Sequence, residues 1–325
     1  MLYSVRHTTR FQYASSITES LTEVRMRPRN TELQHCNLFR LHLKPPATAF
    51  HYTDYLGNVV HHFSQPGVHL ELQIVAESEV MVTPPPPLPA ALDATAWDQI
   101  DDAVAAGEHW EMSQPSAYTE RTPRLDALAQ ELCVERRADP LTVLLELNAA
   151  IHRAFAYDAT STQVDSPIDD ALRDRRGVCQ DFTHIMLALL RRLGLPCRYV
   201  SGYIAPRALG EDDGPTTIAT HAWVEALLPG LDWVGIDPTN DIEAGLRHVR
   251  VAVGRDYADV PPTRGVYKGG AASSLEVNVE VTPGDALPTL DTAVVTASWV
   301  AEAPAPDESA DRLVLEQQQQ QQQQQ

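Results

Sequence analysis

The chain has 325 residues, 43 % of them hydrophobic, and carries 25 basic against 44 acidic side chains for a formal net charge of −19. That is room for two modest domains with real cores, and the acidic balance argues against nucleic acid or anionic membrane as a partner, because both attract basic surfaces. The N-terminus lacks a basic region followed by an apolar run, no apolar stretch reaches the roughly 18 residues of a membrane span, and the four scattered cysteines (Cys36, Cys133, Cys179, Cys197) read as reduced thiols, so a cytoplasmic enzyme is expected.

Residues 1–83 are expected to form a β-rich domain. Leu70 to Val75 and Glu79 to Val82 carry strand-forming residues, and Gly57-Asn58 is a turn signal leading into another strand. Pro84 to Pro87 then remove backbone donors and impose an extended linker. Residues 84–122 are read as that linker and an acidic connector. A core domain is expected over 123–270, C-terminal strands over 271–300 and a disordered tail over 301–325, which ends in the tract Gln317 to Gln325.

The core opens with a helical pattern from Leu141 to Phe155. Ser166-Pro167 is expected to open a short helix, with Asp169 and Asp170 near its positive end, Arg173, Arg175 and Arg176 near its negative end, and Gly177 as its stop. Phe182, Ile185, Met186, Leu189, Leu190 and Leu193 then recur at the spacing of a helix with one buried face. Arg198 to Ile204 reads as a strand and Ala205 to Thr217 as a loop. His221 to Ala226 and Asp232 to Asp237 read as paired strands around Pro229-Gly230, and Leu275, Val277, Val279 and Val281 alternate as a further strand.

Cys179 is the informative cysteine, because it begins the amphipathic helix. There the positive end of the helix dipole and free backbone N–H groups favour thiolate over thiol, and the same N–H groups can hold an oxyanion. Gly177 allows a tight turn and space for a substrate. A buried small hydrophobe is the ordinary role of a free cysteine. Here the flanking Gln180 and Asp181 place Cys179 at an edge of the core instead.

A nucleophilic thiolate needs a base near neutrality, and among twelve histidines His221 stands out. Strand alternation puts His221, Trp223 and Glu225 on one face. A hairpin folded about Pro229 would set His221 opposite Asp237, Trp223 opposite Gly235 and Glu225 opposite Trp233. Directly opposed side chains lie about 5 Å apart at Cβ, so a carboxylate could hold the imidazole N–H. A satisfied strand histidine and a plain strand-ending turn at Asp237-Pro238 are the bland alternatives. Cys197 reads as core and His184 as packing. His61 and His62 face opposite ways on a strand and do not suggest a metal pair. Arg255-Asp256-Tyr257 is either a structural ion pair or part of a substrate rim. Zinc, P-loop and dinucleotide motifs are absent, so no cofactor or metal is expected.

Arg176 to Phe182, Gly194 to Tyr203, Thr220 to Glu225, Gly235 to Asn240 and Val253 to Pro262 together resemble the bacterial transglutaminase-like superfamily. The β-rich region resembles the domain that precedes its core. The resemblance implies an α+β fold with a papain-like core, thioester chemistry without cofactor or calcium, and a triad of Cys179, His221 and Asp237. The expected activity is thiol-dependent hydrolysis of a peptide or amide, with transfer to an amine as the alternative acyl acceptor and a non-catalytic scaffold as the alternative class. Trp223 and Tyr203 are the expected cleft-lining residues. The sequence is silent on oligomeric state.

Overall fold

The computed structural model describes residues 1–162, 166–206 and 220–284. The expected tail at 301–325, most of the expected loop at 205–217 and the end of the expected C-terminal strands lie outside these residues.

The N-terminal half is a single antiparallel sheet. Its strands are β1 (Leu2–Val24), β2 (Gln34–Lys44), β3 (Phe50–Thr53) and β4 (Val59–Val82). β1 pairs with β4 along most of its length, with irregularities between Gln12 and Glu19, while β2 and β3 pair with the other side of β4. Alternation buries Leu41, Leu43, Phe63, Leu72 and Ile74 in one cluster. After the proline run come α1 (Ala96–Ala105), α2 (Pro123–Glu131) and α3 (Pro140–Ala154). The stretch read as connector therefore holds a helix, and Ile100 of that helix is buried in the core of the second half.

Both later helices start on sequence signals that are visible in advance. Thr122 accepts from Leu125 N at 3.2 Å at the start of α2, and Asp139 accepts from Leu141 N and Thr142 N at 3.1 and 3.2 Å at the start of α3, each followed by proline. Next follow β5 (Ala156–Tyr157), α4 (Ile168–Asp174), β6 (Arg176–Gly177) and α5 (Cys179–Arg192). α4 ends at Arg175 in the left-handed region, φ 53°, rather than at Gly177. Gly177 is required for another reason: a Cβ there would lie 2.7 Å from Cβ of Asp181.

The core sheet is formed by β7 (Cys197–Ile204), β8 (Thr220–Leu228), β9 (Asp232–Asp237), β10 (Ile242–Glu243) and β11 (His248–Gly254), in the order β10-β9-β8-β7-β11, every pairing antiparallel. α5 lies against it and buries Phe182, Ile185, Met186, Leu189 and Leu190 with Ala222, Val224 and Ala226 of β8. Full burial contributes about 1.5–3 kcal/mol per large aliphatic side chain, so this face anchors the helix that carries Cys179.

The last strands return to the first sheet. β12 (Thr263–Lys268) and β13 (Ser273–Pro283) both pair with β1, along Glu19–Val24 and Tyr3–Tyr13 respectively. The boundary expected at residue 270 is therefore not where the sheets separate, because β12 already belongs to the N-terminal sheet. Tyr3, Val5, Val80, Val82, Val279 and Val281 of that sheet pack on Tyr203, Val249 and Val251 of the core, which binds the two halves through an apolar seam.

Candidate active site

Cys179 occupies the first position of α5. It is half-buried and packs at the margin of the core, although its polar neighbours Gln180 and Asp181 are themselves buried. The turn before it is fixed by Asp181, whose Oδ2 accepts from Val178 N at 2.8 Å and from Thr162 Oγ1 at 2.5 Å. The parallel bridge of β5 with β6 sets Tyr157 beside Gly177, next to the helix start.

His221 sits near the start of β8. Its Nε2 lies 2.7 Å from Oδ2 of Asp237 at the end of β9, and Cys179 is close enough to the ring to help raise its pKa. Since Asp237 takes Nε2, Nδ1 is the nitrogen left to face the sulfur. Burial would lower the His221 pKa; the hydrogen bond to Asp237, then the proximity of Cys179, outweigh burial and raise it to about 10. Burial likewise opposes ionisation of Asp237, but hydrogen bonds from His221 and His248 hold its carboxyl far below the ordinary carboxylate range.

The hairpin register differs from the expected one. Observed pairs are Val224 with Ile236, Glu225 with Gly235 and Leu228 with Asp232, a shift of two residues. The turn is a three-residue loop, Pro229 to Leu231, with Gly230 at φ 75° and Asp232 at φ 58°. A two-residue shift leaves every side chain on its original face, so His221 and Asp237 still meet, along a diagonal rather than straight across. Gly235 is small mainly for Ala244: an added Cβ would lie 2.7 Å from Ala244 Cβ and 3.6 Å from Trp223 Nε1.

Trp223 and Tyr203 do not line the cleft. Trp223 is 0 % exposed and stacks near His221, ring centroids 6.2 Å apart, because the second face of β8 is covered by Val200, Ala244, Val253 and Leu56. Tyr203 is buried in the seam with the N-terminal sheet, its hydroxyl 2.9 Å from His7 Nδ1. The exposed aromatic side chain beside Cys179 is Tyr157, 59 % accessible; partial burial, then proximity to Cys179, raises the pKa of its hydroxyl. Its sequence signal is weak, because only the bridge to Gly177 brings it to the helix start.

The Asp237 carboxylate is densely solvated by protein. Oδ2 also accepts from Asn240 Nδ2 at 2.7 Å and lies 3.2 Å from His248 Nε2, while Oδ1 accepts from Thr239 N at 3.0 Å and Asn240 N at 3.3 Å. Asp237 thus holds a strand-ending turn and a histidine at once. His248 escaped the sequence reading, although a histidine opening the alternation His248 to Val253 was a signal.

The remaining polar candidates are structural. His184 stacks on Tyr118 at 5.0 Å and accepts from Tyr257 N at 3.2 Å. Arg255 pairs with Asp259 at 2.9 Å, and Asp256 accepts from Tyr118 N and Ala258 N. Cys197 is buried. His221, Asp237 and His248 do offer three ligand atoms within 4.8 Å of one another. Both Nε2 atoms address one carboxylate oxygen at 2.7 and 3.2 Å, which is hydrogen-bond distance, so ring protons satisfy the cluster as it stands.

A helix-borne cysteine packed on an antiparallel sheet that presents histidine and aspartate defines a papain-like α+β core. Residues 126–238 match the transglutaminase-like superfamily, and residues 3–81 match the bacterial transglutaminase-like N-terminal region. An uncharacterized protein of Mycobacterium leprae is 34 % identical over 278 residues, spanning 86 % of this chain and 97 % of its own. An uncharacterized protein of Mycobacterium tuberculosis is 35 % identical over 307 residues, spanning 88 % and 94 %. A protein-glutamine gamma-glutamyltransferase of Pseudomonas aeruginosa is 32 % identical over 162 residues, which are 45 % of this chain and 23 % of that one. In structure, a provisionally assigned cysteine protease from Cytophaga hutchinsonii superposes with a TM-score of 0.63 at 21 % identity over 90 % of this chain and 96 % of that one. The chain belongs to the transglutaminase-like superfamily, with the bacterial N-terminal region fused to its core.

Proposed function

We propose that the chain is a cysteine-dependent acyl-transfer enzyme that hydrolyses a peptide or amide through a thioester on Cys179. The observation that supports this most directly is His221, bound at Nε2 to Asp237 at 2.7 Å, with Cys179 among the groups that raise its pKa. In the proposed cycle the Cys179 sulfur attacks the substrate carbonyl, and the oxyanion that forms is held by the Cys179 N–H at the positive end of α5. His221 gives its proton to the departing amine as the C–N bond breaks and the thioester remains. His221 then takes a proton from water as the water oxygen attacks the thioester, and the acid leaves as sulfur recovers its electrons. Asp237 keeps the imidazole in one tautomer and balances its charge. Tyr157, exposed beside the nucleophile, lines the substrate rim.

Transfer of the acyl group to an amine is the second reading, favoured by the similarity to a protein-glutamine gamma-glutamyltransferase. Release of ammonia with covalent incorporation of a tagged amine separates it from hydrolysis. A reducing compartment suits a chain whose cysteines are all unpaired, and the cytoplasm is our expectation on that ground. No helix among the described residues is long and apolar enough to cross a membrane.

Iodoacetamide tests the core of the proposal. Cys179 should be alkylated well ahead of Cys36, Cys133 and Cys197, and Cys179→Ala should fold normally yet form no acyl-enzyme with an activated ester. Equal labelling of the four thiols would remove its basis.

A further inference from the structure

We infer that His248 is a positioning residue for this site, a neutral donor that fixes the Asp237 carboxylate so that Asp237 can fix His221. The inference rests on the cysteine chemistry proposed above and adds a fourth member to it. Its basis is the hydrogen-bond pattern at both ring nitrogens. Gly245 N donates to His248 Nδ1 at 3.1 Å, so Nδ1 is an acceptor and carries no proton. The proton of the neutral ring therefore sits on Nε2, which is 3.2 Å from Asp237 Oδ2. A backbone amide thus selects the tautomer, and the tautomer makes the ring a donor to the carboxylate.

The surroundings keep that ring neutral. His248 is 1 % exposed. The groups that face it are Asp237, His221 and Arg250; burial lowers its pKa, and the contacts with Asp237 only partly offset this. A second imidazolium beside His221 would compete for the same oxygen, whereas a neutral donor orients Asp237 without contributing a charge. The Trp223 ring, 5.1 Å from His248 and 6.2 Å from His221, fills the space beside both histidines.

His248 is in turn placed by the N-terminal sheet. β11 is the edge strand of the core sheet. Its outer backbone groups are met by side-chain amides that act as substitute peptide groups. Gln34 Oε1 accepts from Arg250 N and Gln34 Nε2 donates to Arg250 O, both at 2.7 Å. Asn58 does the same with Val253 N and O, both at 2.8 Å. The N-terminal domain therefore holds the strand that begins with His248, and so takes part in ordering Asp237.

The test uses the full chain and two readouts. In 15N spectra that correlate ring nitrogens with carbon-bound ring protons, His248 should show protonated Nε2 and unprotonated Nδ1 between pH 6 and 8. An Nδ1–H tautomer or an imidazolium there overturns the inference, and this result does not depend on any activity. For alkylation of Cys179 by iodoacetamide across pH, His248→Phe should slow the plateau rate about tenfold and move the acid limb to higher pH, because Asp237 loses a charge-assisted donor. His248→Gln restores a donor N–H at similar reach, so its rate should return to within about threefold of wild type. A wild-type pH profile in His248→Phe would also overturn it. If instead the wild type alkylates all four thiols equally, the proposed chemistry fails while the tautomer result stands or falls separately.

Discussion

Two buried carboxylates lie at neighbouring places in the core sheet and do opposite things. Asp237 and Glu225 are 0 % and 1 % exposed. Glu225 is clasped by Arg198, at 2.7 Å to Oε2, and by Arg250 Nε at Oε1; Arg198 also lies over the Trp233 ring at 4.0 Å. Asp237 is clasped by two histidines, Asn240 and two backbone N–H groups. Burial opposes ionisation at both. Donors overcome it at both, Arg250 and Arg198 at Glu225, His221 and His248 at Asp237. The difference lies in the partner. A guanidinium does not release its proton in a protein, whereas an imidazole does, so only the Asp237 centre can move a proton.

The largest effect expected from this contrast is on turnover. Asp237→Asn keeps the size of the side chain but removes its charge and half its acceptor capacity, so His221 loses both its fixed tautomer and the balance for its charge. Turnover of an activated ester should fall about 10³-fold or more, with a much smaller change in KM. A loss of only a few fold would place Asp237 with Glu225 among the purely structural carboxylates.

The pH dependence of stability should separate the two centres next. Both carboxylates have depressed folded-state pKa values, so both contribute stability that is present above the ordinary carboxylate range and lost as pH falls. On the alkaline side only one centre can respond. The His221 pKa is raised to about 10, so its contribution is complete below about 6.5, the ordinary histidine value, and is lost as pH rises through 10. Chemical denaturation between pH 6.5 and 10 should show a decline on the order of a few kcal/mol, and His221→Gln should flatten it. An unchanged slope in that variant would mean that the alkaline titration belongs elsewhere.

The candidate site was legible because Cys179, His221 and Asp237 each carry a local signature: a cysteine at the first turn of an amphipathic helix, then a histidine and an aspartate on strands of matched alternation. What the sequence hid depends on long-range packing. Trp223 and Tyr203 look like cleft residues until the N-terminal sheet and the segment around Ala244 cover the face that bears them. The hairpin register turned on whether the turn centres on Pro229 or on Gly230, which composition alone leaves open. The return of β12 and β13 to β1 joins residues more than two hundred positions apart, beyond any local periodicity. His248 was passed over because its role lies in its two ring nitrogens, and those take their meaning from Gly245 and Asp237.

The smallest expected effect on catalysis, and the sharpest on the comparison, comes from Glu225→Gln. Removing the charge leaves Arg198 and Arg250, 18 % and 11 % exposed at their side chains, without a counter-ion. Breaking a buried pair from one side costs about 3 kcal/mol or more, read as a lowered denaturation midpoint at constant slope. Reactivity of Cys179 should stay near wild type, since neither arginine touches Asp237 and the faces of β8 are unaltered. The reverse pattern, normal stability with slowed alkylation, would mean that Arg250 transmits charge along β11 to His248, and the two carboxylates would then belong to one electrostatic unit rather than two.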